Sequence, residues 1–226
     1  MQARLSKLIG KEVVLAGGGS SSAWSTTGVC AEVSGSGTKF FYKSAFGEAG
    51  REMLDAEFFG LSRMASIQGG IRVPTPIAAG DGLIVMEKLN LGGGGGGGDY
   101  KEMGRLLAVM HEADVGGEFG FEVDNTIGAT PQPNVAMSES WGEFWRENRV
   151  MHMLNLAGGV GLTREAQEAV ADKASRLVQA HDPKPSLLHG DLWGGNAGFA
   201  DGEPVIYDPA CYFGDREVDL AMTSCE

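Results

Sequence analysis

The chain has 226 residues, enough to bury a sizeable core as one domain or as a two-lobed enzyme. Its 30 acidic and 18 basic side chains leave a formal charge of −12, which argues against a nucleic-acid scaffold because no basic face is available to replace phosphate counterions. Three scattered cysteines (Cys30, Cys211 and Cys225) without a C-x-x-C pair argue against a disulfide framework or a zinc site, and no run of about 18 apolar residues marks a membrane span.

In chain order, Ala3 to Ile9 predicts a short helix with no signal-peptide character, and Glu12 to Ala16 predicts a strand. That strand runs into the turn Gly17-Gly18-Gly19-Ser20-Ser21-Ser22. Ser25 to Ser34 and Lys39 to Ser44 predict two more strands, joined by Gly35-Ser36-Gly37 as a hairpin loop. Residues 50 to 66 have helical periodicity, with Met53, Leu54, Phe58, Leu61 and Met64 as the apolar stripe and Glu57 beside it. Val73-Pro-Thr-Pro76 is a rigid connector and Leu83 to Met86 a short apolar strand. Glu87-Lys88-Leu89-Asn90 leads into the glycine run Gly92 to Gly98, whose lack of side chains predicts a flexible connector. Helices come next over Tyr100 to Ala113, 138 to 157 and 163 to 181, the last with Thr163 suited to the N-cap. This order divides the chain into a β-rich half (1–90), a Gly-rich connector (91–99) and a helical half (100–226).

The densest chemistry lies in residues 189 to 219. Asp191 and Asn196 stand five positions apart, the spacing of the protein-kinase catalytic loop, and Asp208 lies 17 residues after Asp191. An N-cap or a surface turn explains any one of these residues, but not the three in this order. Asp191 is the candidate base for an acceptor hydroxyl. Asn196 and Asp208 are hard oxygen donors suited to Mg²⁺, and Ile206 and Tyr207 put Asp208 at the end of an apolar strand where a carboxylate is costly unless neutralised. Upstream, Gly17, Gly18, Gly19 and Ser20 form a turn whose backbone can approach phosphate oxygens, although glycine is common throughout this chain. Lys43 ends a strand of large apolar residues and needs a partner if buried; Glu57, 14 residues on, is the natural one. His189 reads as a hydrogen-bonder rather than a base, and Asp219 as a residue that holds the loop from behind. Trp193 is either loop packing or an aromatic platform.

The segments Asp124-Asn-Thr-Ile-Gly-Ala-Thr-Pro-Gln-Pro133, Leu188-His-Gly-Asp-Leu-Trp-Gly-Gly-Asn196, Tyr207-Asp-Pro-Ala210 and Gly214-Asp-Arg-Glu217 resemble the fructosamine (ketosamine) 3-kinase family. The likeness runs from about Leu8 onward and includes the Lys43 strand and Ile71-Arg-Val-Pro74. It implies an α+β, protein-kinase-like bilobal fold with a β-rich N-terminal lobe and a helical C-terminal lobe. It also implies ATP- and Mg²⁺-dependent phosphorylation of the 3-hydroxyl of ketosamines, carried on a small molecule or on a glycated protein. By the same resemblance Lys43 and Glu57 are the nucleotide-aligning pair, and Asp191 is the base. Asn196 and Asp208 are the metal ligands, Glu87, Lys88 and Leu89 form the hinge beside adenine, and Trp193 is the substrate-stacking residue. The family's usual serine is replaced by Gly194, and the cysteine that some relatives carry in the phosphate-covering loop is replaced by Ser20. Relatives continue into further helices beyond Ala221-Met-Thr-Ser-Cys-Glu, so the C-terminal helices of the fold are expected to be missing here. Two alternatives stay open: another small-molecule kinase of the same fold, acting on an aminoglycoside or an amino alcohol, and an inactive nucleotide-binding fragment. The expected setting is cytoplasm or an organellar stroma or matrix, with neither nucleic acid nor membrane as partner and the oligomeric state undetermined.

Overall fold

The computed structural model describes residues 1–21, 25–33, 37–92 and 98–224. Ser22, the loop residues Gly35 and Ser36, most of the glycine run and Cys225 lie outside the described residues. The chain forms two compact units: Met1–Val109 with Gly194–Pro209, and Met110–Trp193 with Ala210–Glu226.

The first unit is built on a five-stranded antiparallel sheet in the order β1-β2-β3-β5-β4. Its strands are β1 (Val13–Gly17), β2 (Ser25–Glu32), β3 (Lys39–Ala45), β4 (Pro76–Gly80) and β5 (Leu83–Glu87). Helix α1 (Gln2–Ile9) lays Leu5 into a cluster with Val13, Cys30, Phe40, Tyr42, Leu83 and Val85. Burial of each large side chain in that cluster contributes roughly 2 kcal/mol. Helix α2 (Gly47–Ala65) buries Leu54, Leu61 and Met64 at helical spacing. β4 begins at the last residue of the predicted connector and runs through 77–80, for which the sequence predicted no element. It is an edge strand, and Pro76 can start it because an edge strand has one side without a partner to lose. A hairpin from far downstream completes the unit: β9 (Ala197–Ala200) pairs with β10 (Glu203–Ile206), with Asp201 and Gly202 in left-handed conformation at the turn.

The second unit takes over from α3 (Tyr100–His111) near its C-terminal end. Its core gathers Phe119, Trp141, Phe144 and Tyr212, with Trp141 stacked near both Phe144 and Tyr212. The helix predicted over 138–157 is interrupted. It is α4 (Trp141–Trp145), a π-helical turn over Arg146–Met151, and α5 (His152–Leu156). Within the wide turn the Arg149 guanidinium lies 4.8 Å from the Phe144 ring centre and 4.3 Å from that of Tyr212. Burial holds its pKa below the ordinary arginine value. Helix α6 (Arg164–Gln179) starts at Thr163, whose hydroxyl accepts the Ala166 N–H at 3.3 Å. The unit also holds two short ladders: β6 (Asn125–Ile127) with β7 (Thr130–Gln132), and β8 (Ser186–Leu188) with β11 (Tyr212–Gly214). The last described helix is α7 (Glu217–Met222). Cys30 and Cys211 are both buried. Among the described residues no helix is long and apolar enough to cross a membrane.

Candidate functional site

In the first unit, Lys43 sits inside the sheet, paired with Thr27 of β2 and Ile84 of β5. A lysine side chain only 13% exposed needs acceptors, and two carboxylates provide them. Its Nζ donates to Glu57 Oε1 at 2.7 Å and to Asp208 Oδ1 at 2.8 Å. Burial opposes the ammonium, but Glu57 and Asp208 together outweigh it and hold the Lys43 pKa above the ordinary lysine value. Glu57, on the inward face of α2, is pushed up by burial, which its contact with Lys43 offsets only in part. Asp208 is the half-exposed member of the three.

The β9–β10 hairpin fixes Asp208 and Asn196 as a pair. Asn196 closes the single 3₁₀ turn before β9, and Asp208 stands two residues past the end of β10. Tyr207 N–H donates to the Asn196 carbonyl at 3.0 Å, and the Asn196 amide nitrogen points to the Asp208 carbonyl at 3.4 Å. Asp208 has φ 58, a left-handed conformation that aspartate tolerates better than most residues. Such a conformation costs on the order of 1 kcal/mol and persists where the surroundings enforce it, as the Lys43 and Asn196 contacts do. One carboxylate and one amide suit Mg²⁺, which is usually held by one or two carboxylates together with substrate phosphates and water. Among the described residues there is no cluster of three or more His, Cys, Asp or Glu that could hold a metal ion. The donor set fits the smaller requirement.

Gly17 to Ser20 form an exposed turn between β1 and β2. Gly17 and Gly18 are left-handed, and a Cβ on Gly19 would fall 2.3 Å from the Thr27 carbonyl oxygen. Thr27 pins the turn by donating its N–H to Ser20 O at 2.8 Å while its hydroxyl accepts Ser20 N–H at 3.2 Å. Glu87 stands at the end of β5, but its carboxylate does not join the Lys43 group. It accepts Arg72 Nη2 at 2.5 Å and both the N–H and the hydroxyl of Thr75 at 3.2 Å. Lys88 stays local, with Nζ 3.4 Å from the Leu89 carbonyl and 3.3 Å from Asn90 Oδ1.

In the second unit, the loop after β8 carries His189, Gly190, Asp191, Leu192 and Trp193. Asp219 organises it from α7: its wholly buried carboxylate accepts the N–H groups of His189 at 2.8 Å and Gly190 at 2.9 Å. His111 Nε2, from the last turn of α3, lies 2.9 Å from the same carboxylate. The chain returns past the loop as Ala210 N–H donates to the His189 carbonyl at 2.8 Å. Gly190 is confined by this passage. Its φ is 80, and a Cβ there would lie 2.1 Å from the Ala210 carbonyl oxygen. The buried His189 ring turns Nδ1 to the Asp191 N–H at 3.3 Å, a structural role. Leu192 is buried and Trp193 is 44% exposed, so the loop is anchored by the one side chain and presents the other. Asn125 and Gln132 fasten the β6–β7 hairpin to the returning chain: Asn125 Nδ2 donates to Cys211 O at 2.7 Å, and Gln132 Nε2 to Asn125 Oδ1 at 2.9 Å.

Of the predicted residues, Lys43, Glu57, Asn196 and Asp208 come together in the first unit. Asp191 and Trp193 share one loop of the second. The sequence reasoning missed Arg72 and His111. His111 lies one turn beyond Leu107 on the apolar face of α3, a placement that marks a buried histidine in need of a partner. Arg72 stands directly before the proline-rich stretch and entered the sequence argument only as part of the Ile71-Arg-Val-Pro74 likeness, which assigned it no role.

A five-stranded antiparallel sheet with a lysine–glutamate pair, succeeded in the chain by an aspartate, an asparagine and an aspartate in kinase spacing, defines a protein-kinase-like fold. The same fold occurs in an ADP-bound aminoglycoside phosphotransferase, which superposes with a TM-score of 0.56 at 15% identity over 96% of this chain and 72% of its own. The chain belongs to the fructosamine kinase family, whose sequence profile matches residues 10–225. It is 45% identical over 177 residues to a probable ketoamine kinase of Synechocystis, covering 76% of this chain and 59% of the relative. It is 42% identical over 190 residues to the chloroplastic protein-ribulosamine 3-kinase of Arabidopsis thaliana, covering 78% of this chain and 56% of that protein. A solved putative fructosamine-3-kinase from Thermobifida fusca superposes with a TM-score of 0.83 at 32% identity, over 98% of this chain and 77% of its own. The chain thus spans rather more than half the length of the two curated relatives.

Proposed function

We propose that this chain carries the nucleotide and metal machinery of a ketosamine 3-kinase, which moves the γ-phosphoryl group of ATP to the 3-hydroxyl of a ketosamine. The observation that carries the reading is the Lys43 ammonium held between Glu57 and Asp208 at 2.7 and 2.8 Å, with Asn196 fixed on the Asp208 main chain. Family membership and the ketoamine and ribulosamine kinase relatives support the choice of acceptor.

In this reading the Lys43 ammonium, aligned by Glu57, orients the nucleotide phosphates, and the turn at Gly17 to Ser20 lies over them. Asn196 and Asp208 would hold Mg²⁺, whose charge when bound would neutralise that of the phosphate oxygens. Asp191 accepts the proton of the sugar 3-hydroxyl as that oxygen bonds to phosphorus and the bond to the β-phosphate oxygen breaks, releasing ADP. Asp219 keeps the Asp191 loop in shape through its two main-chain bonds. Trp193 offers an exposed aromatic face to the sugar or to its carrier. Glu87, Lys88 and Leu89 border the adenine through their main chain.

The test is incubation of the purified chain with Mg-ATP and a panel of ribulosyl- and fructosyl-lysine peptides, an aminoglycoside and choline, with transfer read by mass. Phosphorylation of the ketosamines alone is the expected outcome. Transfer only to the aminoglycoside or choline would replace this acceptor with another, and no transfer together with no nucleotide binding would remove the kinase reading.

A further inference from the structure

Arg72 lies outside the machinery described so far, yet it touches both the end of β5 and the β9–β10 hairpin. Its main chain bridges to Val205 of β10, and its carbonyl accepts the Ile206 N–H at 3.0 Å. Its guanidinium forks: Nη2 reaches Glu87 Oε1 at 2.5 Å, while Nη1 reaches Glu203 Oε2 at 3.2 Å and the Ala200 carbonyl at 3.4 Å. Glu87 ends β5, which pairs with β3 at Lys43; Ala200 and Glu203 flank the turn of the β9–β10 hairpin. A second tie runs alongside, where Leu91 bridges to Ala200 and Gly92 N–H donates to the Phe199 carbonyl at 3.0 Å.

The two arms of that hairpin begin and end at the residues assigned to the metal. Asn196 directly precedes β9, and Asp208 stands two residues after β10. A tilt of the hairpin against the sheet would move both oxygen donors together relative to the Lys43 ammonium. A planar guanidinium with two separate donor edges is the group that can hold the strand end and the hairpin turn at once. An ammonium is a point charge and lacks this fork. Partly exposed ion pairs of this kind contribute little to stability, so setting an angle is the effect for which the arrangement is suited.

We infer that Arg72 is a positioning residue that locks the Asn196–Asp208 hairpin to the Lys43 sheet and so sets affinity for the metal–nucleotide complex. This rests on the kinase reading of the same site. The inference concerns how the chain holds metal, so binding rather than turnover is the measurement: calorimetric titration of the full chain with AMP-PNP, with and without Mn²⁺. Arg72→Met should weaken Mn²⁺–AMP-PNP binding by about 10- to 100-fold, the range seen when residues supporting a metal ligand are removed, and change metal-free AMP-PNP binding by less than about threefold. Arg72→Lys keeps the charge and one of the two contacts and should lose affinity to an intermediate degree. That variant carries the test should Arg72→Met fail to fold. Metal–nucleotide binding unchanged in either folded variant, or an equal loss with and without Mn²⁺, would overturn the role of Arg72 and leave the kinase reading standing. Absence of any Mn²⁺–AMP-PNP binding by the unmodified chain would overturn both.

Discussion

The carboxylate of Asp219 accepts the main-chain N–H of His189 at 2.8 Å from a position with no solvent exposure. Its second oxygen takes the Gly190 N–H at 2.9 Å, and His111 approaches the first at 2.9 Å. Asp219→Ala leaves two buried N–H groups without acceptors, each costing about 1–3 kcal/mol, so the variant should lose roughly 3 kcal/mol or more. Asp219→Asn retains one acceptor oxygen and should fall between. Urea unfolding monitored by tryptophan fluorescence ranks the three, and equal midpoints would remove Asp219 as the organiser of the loop.

Lys43→Met takes the cation away from a buried carboxylate. Breaking such a pair by removing one partner costs about 3–5 kcal/mol, and transfer should slow by a factor of about 10² or more, as for other groups acting on a migrating charge. The pH dependence has a definite sign. Burial already raises the Glu57 pKa, and Lys43 is the group that lowers it. A carboxyl whose folded pKa is raised contributes fully below its unfolded value and loses that contribution as pH rises through the folded one. Without Lys43 the loss deepens, so the variant and the unmodified chain should differ least in acid and most at neutral pH. Adding Glu57→Gln to Lys43→Met should flatten the difference; a pH-independent gap would contradict it.

Glu87 has the opposite sign. Burial pushes its carboxyl up, but Arg72 and Thr75 outweigh it and hold the pKa below the usual carboxylate range. Its stabilising contribution is present above the unfolded value and is lost as pH falls through the depressed folded one. Glu87→Gln should therefore be slightly less stable at neutral pH, by about 1 kcal/mol or less, and should converge with the unmodified chain in acid. Thermal melts from about pH 7 to about pH 2 measure this; a variant gap that widens toward acid would reverse the assignment.

Asp191→Asn removes proton acceptance while keeping the shape of the loop. Turnover on a ketosamine peptide should drop by about 10²–10⁴, with ATP affinity changed by less than about threefold. Single-turnover transfer and nucleotide titration separate the two effects, and unchanged transfer would return Asp191 to a structural role.

Legibility in the sequence depended on the length of each signal. The Lys43 strand and the α2 stripe carry enough periodic apolar residues to fix both elements, and their spacing brought Glu57 to Lys43. β4 was illegible because Pro-Ile-Ala-Ala-Gly has neither bulk nor alternation, and its assignment comes from pairing with β5. The strands β6 and β7 have three residues each, too few for a period to emerge. The π-helical turn at Arg146–Met151 is invisible to a helical pattern, since it preserves helical character while shifting the register of α5 against α4. At the site, polar residue types in a fixed order were informative. The Arg72 fork was not, because its partners lie 15 and 131 residues away and meet only through the fold.

The stretch Gly194–Pro209 packs with the first unit, although the residues on both sides of it pack with the second. Neither unit is therefore an inheritable cassette. A fragment cut at the glycine-rich stretch would keep the sheet and its ammonium but surrender the carboxylate and amide contributed by a distant downstream segment. Expressed by itself, such a fragment would retain Lys43 and Glu57 without Asn196 and Asp208.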